Sequence, residues 1–303
     1  MDIYLPIAGQ SVNALFMVLL GFLVGILSGM FGVGGGFLTT PLLIFYGIPP
    51  TVAVASATTQ ITGASVSGVM SHMRRGGVDL KMGGVMIVGG LLGSLVGVVA
   101  FRLLQSTGQI DLVIGGLYVI ILGWIGSLML KDALVALGYV KAPATAKPNA
   151  RHNRWVASLP LRWRFYSSGL YVSPLAPLAL GFVAGMLTVF LGIGGGFILV
   201  PAMIYLLGMP ARIVIGTSLV MVLAVSACTT MVHSLTTRSV DIVLAGLLLL
   251  GGVIGAQYGA MLTTRVKPDL MRLALAIIIL LVALRMAVGL AWRPDEVYSI
   301  EYL

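Results

Sequence analysis

This sequence predicts an all-α polytopic membrane protein made of two inverted-topology repeats of about five spans each, with a glycine-broken half-helix in each repeat. Three observations predict it. Hydrophobic residues make up 59% of the chain and charged ones only 9%, with a mean hydropathy of +1.08, far more apolar surface than a soluble core of 303 residues needs. The run Gly32-Val33-Gly34-Gly35-Gly36-Phe37 returns 160 residues later as Gly192-Ile193-Gly194-Gly195-Gly196-Phe197, and between 21–41 and 181–201 ten of twenty-one positions are identical. Finally, basic residues change loops between the halves as an upside-down copy requires.

Apolar runs between the charges set the spans at about 12–30, 31–47, 52–72, 82–103 and 111–130, then 174–190, 191–207, 212–236, 241–263 and 270–290. The chain divides into a first transmembrane repeat (1–131), a basic cytoplasmic linker with an interfacial aromatic segment (132–173), a second repeat (174–291) and a tail (292–303). Because the first ten residues hold one Asp and no Lys or Arg, no cleaved signal is expected and the first span directs insertion. The single cysteine, Cys228, aligns with Ser67 in the repeat; it excludes an intrachain disulfide and reads as a small packing residue.

An odd number of crossings per half turns the second half over. Placing 131–173 in the cytoplasm puts Lys131, Lys141, Lys147, Arg151, Arg154, Arg162 and Arg164 inside, seven of the eighteen basic residues, together with Arg74, Arg75 and Lys81. Arg102 is left outside. In the second half the loop equivalent to 73–81 keeps only Arg238, now outside, while Arg265, Lys267 and Arg272 fall inside. Both termini are then extracytoplasmic, in a bacterial inner membrane. The net charge of +9 is thus a topology signal, and no nucleic-acid partner is expected, because the basic residues sit in short loops that flank the lipid bilayer. Trp155, Trp163, Phe165 and Tyr166 among arginines read as an element lying on the cytoplasmic membrane surface, where Pro143, Pro148 and Pro160 discourage a long helix.

The second span of each half carries the chemistry. As a helix, 37–47 reaches about 16 Å, half of the ~30 Å hydrocarbon core, and crosses only if 32–36 run extended. The helix start then lies near the midplane, where its unpaired N–H groups and positive dipole end form an anion site. The candidate substrate-binding residues are Gly34, Gly35, Gly36 and Phe37 with their counterparts Gly194, Gly195, Gly196 and Phe197. Polar groups inside the spans that can complete the coordination are Ser56, Thr58, Thr59, Gln60, Thr217 and Ser218, of which Ser56 and Thr217 are repeat equivalents; such hydroxyls also bond their own helix. All nine acidic residues fall at or beyond span ends, so a cationic cargo or a carboxylate proton relay lacks its usual partner.

His72 and His233, equivalent at a shift of 161, are candidates for proton coupling or gating, or for satisfying helix-end carbonyls. No catalytic, metal or cofactor constellation is legible. The glycine run lacks the Lys-Ser or Lys-Thr of a P-loop, and His72, His233 and Cys228 have no carboxylate beside them, so an enzyme is not expected. Gly89, Gly93 and Gly97 match Gly251, Gly255 and Gly259 as small-xxx-small ridges, a packing feature.

The duplicated Gly-x-Gly-Gly-Gly-Phe segments, each closely followed by Pro41 or Pro201, and the stretches Ala55-Ser56-Ala57-Thr58 and Gly216-Thr217-Ser218-Leu219 resemble the TauE/SafE family of sulfite-exporter-like permeases, over nearly the whole chain outside the linker. The resemblance implies outward transport of a sulfur oxyanion or organosulfonate such as sulfite or sulfoacetate. A passive anion channel, or a permease for another small organic anion, is the alternative. Departures from exact duplication at Gly29 against Val189, and at Thr58-Thr59-Gln60 against Leu219-Val220-Met221, suggest that the first half contributes more of the polarity.

Overall fold

The computed structural model describes residues 2–31, 35–74, 76–138, 160, 163–262 and 268–291. Gly32, Val33 and Gly34, most of the linker, Arg265, Lys267 and the tail lie outside the described residues. A hairpin of β1 (Asp2–Leu5) and β2 (Gln10–Asn13) leads into α1 (Ala14–Phe31), α2 (Gly36–Phe45), α3 (Pro50–Arg74), α4 (Leu80–Ser106) and α5 (Ile110–Ala136). A second hairpin, β3 (Trp163–Phe165) and β4 (Leu170–Val172), leads into α6 (Leu175–Leu191), α7 (Gly196–Tyr205), α8 (Ala211–Thr236), α9 (Ile242–Leu262) and α10 (Pro268–Ala291). Each expected span has its helix. Among the described residues five of them, α4, α5, α8, α9 and α10, are long and apolar enough to cross a membrane. α3 has the length but not the apolarity. It is packed among α2, α8 and α9, where its Ser, Thr and Gln side chains need not face lipid.

Two features correct the expectation. The first is the hairpins, strands where only helices were expected. Each has a four-residue loop closed by a glycine at positive φ, Gly9 at 68° and Gly169 at 67°, which stops a helix, and each buries two apolar side chains, Leu5 and Val12 or Phe165 and Val172. Their pairing registers coincide under the shift of 160: Ile3 pairs with Val12 as Trp163 pairs with Val172, and Leu5 with Gln10 as Phe165 with Leu170.

The second correction concerns the glycine runs. In the second run Gly192, Gly194 and Gly195 have φ 64°, 72° and 73°, a left-handed reversal instead of an extended stretch; of the first run, whose residues 32–34 lie outside the described residues, Gly35 has φ 66°. A chain that turns back adds no length. The Tyr46 ring, just beyond α2, accordingly stacks on Phe16 in the first turn of α1, with centroids 5.1 Å apart. α2 therefore returns to the end from which α1 set out, antiparallel to it.

The helices are held together across the halves. Gly21, Gly25 and Gly29 of α1 lie against the carbonyls of Leu248, Gly252 and Ala256 in α9, so that a Cβ would fall 2.5, 2.4 and 2.1 Å from those oxygens. Gly251, Gly255 and Gly259 of α9 lie in the same way against Val18, Phe22 and Ile26 of α1. Both series rise together, so α1 and α9 run parallel, each backbone notched into the other. The pair α4–α6 repeats this with Gly89 and Gly93 on the carbonyls of Leu178 and Phe182, and Gly181 and Gly185 on those of Met86 and Gly90. α5 packs against α10, and α3 crosses α8, where Thr62 Oγ1 donates to Ser226 Oγ at 3.0 Å.

Two buried carboxylates fasten the ends. Asp79 Oδ1 caps α4 by accepting from the Met82 N–H at 3.0 Å, and Asp241 Oδ1 caps α9 by accepting from the Val243 and Leu244 N–H groups at 3.1 Å. The second oxygen of each holds the hairpin of the other half. Ser168 donates to Asp79 Oδ2 from its N–H at 3.1 Å and its hydroxyl at 2.8 Å, and the Ile7 N–H donates to Asp241 Oδ2 at 3.1 Å. Both acids stand at span ends as expected, yet they are 1% and 0% exposed.

Gly93→Ala places a methyl 1.9 Å from the Phe182 carbonyl oxygen and should cost about 1–3 kcal/mol of stability, read as a lower unfolding temperature in detergent. Gly123→Ala, with nothing within 4 Å of the added Cβ, should leave it unchanged or raise it through helix propensity. Asp241→Ala removes a cap and unfastens the first hairpin; a loss of about 1–3 kcal/mol is expected in the same assay.

Candidate functional site

The two chain reversals meet in the middle of the molecule. A Cβ on Gly36 would fall 2.1 Å from Ile61 Cδ1, halfway along α3, and 2.5 Å from the Gly192 carbonyl oxygen of the other half. One on Gly192 would lie 2.6 Å from the Val54 carbonyl oxygen, and one on Gly194 2.9 Å from both Ile61 Cγ2 and Val222 Cγ1. Ile61 and Val222 are repeat equivalents, so both half-helices start at one level, beside the crossing of α3 and α8. The rings of Phe37 and Phe197 stack there face to face, with centroids 4.6 Å apart and planes 6° apart, both buried.

Each half-helix begins with a glycine cap that has no side chain to offer its first turn. The Gly35 carbonyl accepts from the N–H groups of Leu38 at 3.2 Å and Thr39 at 3.4 Å; that of Gly195 accepts from Ile198 at 3.1 Å and Leu199 at 2.9 Å. The N–H groups of Gly196 and Phe197 meet no acceptor among the described residues. A helix of ten residues thus presents unpaired donors and its positive dipole end in the protein interior. No acidic side chain lies among the residues that meet there.

The polar residues proposed from sequence separate into three groups. Ser56 and Thr217 stand at the two clasps: Ser56 Oγ accepts from the Asp241 N–H at 3.2 Å and Thr217 Oγ1 from the Asp79 N–H at 2.9 Å. Thr58, Thr59 and Ser218 donate to carbonyls of their own helices, Val54 at 2.7 Å, Ala55 at 3.0 Å and Ile215 at 3.0 Å. Gln60 donates to the Leu248 carbonyl at 3.4 Å, and its buried Oε1 has no partner among the described residues. Gly34 lies outside the described residues, while Gly35, Gly36, Phe37, Gly194, Gly195, Gly196 and Phe197 are brought together.

His233 is buried near the end of α8. Its Nε2 lies 3.3 Å from the Val189 carbonyl in the last turn of α6, its Nδ1 3.3 Å from Thr237 Oγ1, and the Phe101 ring meets it edge to face at 5.0 Å. His72 occupies the last turn of α3 and is partly buried.

Sequence reasoning missed Thr39, Thr40, Tyr118 and Thr188. Thr40 Oγ1 lies 3.2 Å from where a Gly192 Cβ would stand, the Tyr118 hydroxyl donates to the Leu191 carbonyl at the reversal, and Thr188 backs Gly195. Thr39-Thr40 could have been found, because the second half has Leu199-Val200 in their place. Tyr118 could not, since nothing in an apolar span distinguishes a tyrosine aimed inward from one at the interface.

The family model described as sulfite exporter TauE/SafE matches residues 17–286. The chain is 28% identical over 270 residues to a probable membrane transporter protein, YjnA, of Bacillus subtilis, covering 89% of this chain and 98% of that one. It is also 28% identical over 275 residues to a probable membrane transporter protein of Xylella fastidiosa, covering 90% and 93%. Over 107 residues it is 27% identical to sulfite exporter TauE/SafE family protein 1 of Arabidopsis thaliana, covering 35% and 24%. No solved structure matches it. With a family match over nearly all of its spans, this chain is an integral multi-pass membrane transporter that belongs to the sulfite exporter TauE/SafE family.

Proposed function

We propose that this transporter is a secondary carrier of a small anion, a sulfur oxyanion or organosulfonate such as sulfite or sulfoacetate, moved outward around a site between the N-termini of α2 and α7. The observation that carries this reading is the meeting, in a carboxylate-free centre, of two glycine-capped helix starts whose first N–H groups carry no side-chain cap. The names of the Arabidopsis relatives agree with the cargo class.

The two halves are inverted in this reading. Its support is that α1, the first helix of one half, runs parallel to α9, the fourth helix of the other, as α6 does to α4, while α3 and α8 cross antiparallel. The opposite placement of basic residues points the same way, with β3–β4 and the loop before Asp79 cytoplasmic. Because α4 and α9 are exchanged between the halves, the bodies that rock are α1-α2-α3-α9 and α6-α7-α8-α4, sliding along the α3–α8 crossing.

The stacked Phe37 and Phe197 rings, with Ile61 and Val222 beside them, fill the space between the helix starts and suit an occluded state. Cargo enters when the rings part. This closed centre favours a carrier over a passive channel, which needs a continuous wet path. His233, which ties α8 to the end of α6, and its equivalent His72 are the candidates for proton coupling or gating.

In proteoliposomes, internal unlabelled anion should accelerate entry of labelled sulfite or sulfoacetate, which a channel would not show. Gly35→Val and Gly195→Val, β-branched residues forced to φ near 66° and 73°, should lower transport at least ten-fold while the protein still inserts; unchanged rates in both would overturn the site. In a Cys228→Ser background, Arg74→Cys and Arg238→Cys should label from opposite faces of the membrane with an impermeant reagent. Labelling from one face would sink the inverted arrangement.

A further inference from the structure

The end of the molecule that carries β3–β4 has a cleft of about 420 Å³, lined by Lys81, Trp163, Arg164, Tyr166 and Tyr171. Lys81 Nζ lies 5.2 Å from the Trp163 ring centroid and 5.8 Å from that of Phe165, and donates to the Arg164 carbonyl at 3.3 Å. The Arg164 guanidinium lies 5.6 Å from the Tyr166 ring. Neither cation forms an ion pair among the described residues, and no acidic side chain lines the cleft. The neighbouring carboxylate, Asp79, is buried and engaged by Ser168 and the Met82 N–H. The rings are open to the surroundings, at 45%, 78% and 57% exposure for Trp163, Tyr166 and Tyr171.

The opposite end of the molecule supplies the control. It has the same hairpin in the same register, fastened to Asp241 as this one is to Asp79. Yet Ile3, Tyr4, Pro6, Ser11 and Val243 stand there in place of Trp163, Arg164, Tyr166, Tyr171 and Lys81. The fold therefore does not require the two cations or the tryptophan.

We propose that this cleft binds the phosphate of an anionic phospholipid headgroup, from the leaflet on the linker side of the membrane. Lys81 and Arg164, which form no ion pair among the described residues, answer the phosphate charge, and Trp163 with the two tyrosines suits the headgroup level as interfacial aromatics do. The bound lipid bridges α4 of the first half and the hairpin of the second, so it reinforces the Asp79 clasp from outside. The site rests on the membrane placement of the chain and not on the cargo or the central anion site.

The test is native mass spectrometry and thermal unfolding of the full chain in detergent with added phosphatidylglycerol or phosphatidylcholine. Phosphatidylglycerol should bind preferentially and raise the unfolding temperature, and the preference should fall about five-fold for each of Lys81→Gln and Arg164→Gln. Arg102→Gln, a cation in the opposite loop, should leave it unchanged, and Lys81→Arg should keep most of it. As a second measurement on the unmodified protein, a photoreactive phosphatidylglycerol should crosslink to peptides containing Lys81 or residues 163–171. Equal stabilisation by phosphatidylcholine, an undiminished preference in the double variant, or adducts mapping elsewhere would overturn the proposal. So would an equal shift with glycerol phosphate alone, which would make the ligand a free phosphate, or tighter capture of a soluble acidic peptide than of the lipid.

Discussion

Backbone-to-backbone contact between helices of opposite halves is the constraint on which the rest of the structure depends. Lipid gives apolar side chains no incentive to leave it, so helices in a membrane associate through close packing, and the closest packing requires the absence of Cβ atoms. In the pairs α1–α9 and α4–α6 the glycines come from both members, and each rests on a carbonyl of its partner. Neither half can form these pairs alone. The fourth helix of each half is drawn into the bundle of the other, and the Asp79 and Asp241 clasps close that exchange at the two ends.

That exchange frees the centre. With four helices locked pairwise at the flanks, the polar α3 is enclosed between α2, α8 and α9, where Thr58, Thr59 and Thr62 bond its own carbonyls and Thr62 also reaches Ser226 of α8. The glycine reversals can then sit at depth without facing lipid, which could not satisfy their backbone groups. Glycine is required there twice over: by the positive φ of the turn, and by the approach of Ile61 and of the other half's carbonyls. Short helices entering from such turns leave donors unpaired in the interior, and this property makes the centre suited to the anion proposed for it.

Much of this arrangement is legible in the residues alone, for identifiable reasons. Apolar run lengths locate the helices because a membrane span has a minimum length, and the repeated glycine run locates the central breaks because adjacent glycines end a helix wherever they stand. The ridges at Gly93 and Gly255 are recognisable from their four-residue spacing. The roles of Ser56 and Thr217 are not: the repeat pairs the two correctly, but their partners are backbone N–H groups 185 and 138 residues away. The hairpins escape because three or four residues carry too little periodicity to separate a strand from an interfacial segment.

By itself the sequence determined the solvent, the duplication, the positions of the helices and of the breaks, and the family. These depend on composition and local spacing, which act within a few residues of chain. Only the tertiary structure decided that α2 and α7 turn back, that α4 and α9 change partners, and that Phe37 meets Phe197. The glycine run permits extended and left-handed backbone alike, since without a Cβ the two cost nearly the same. The choice falls to contacts such as Tyr46 on Phe16 and Gly36 on the Gly192 carbonyl, which exist only once the whole chain has closed upon itself.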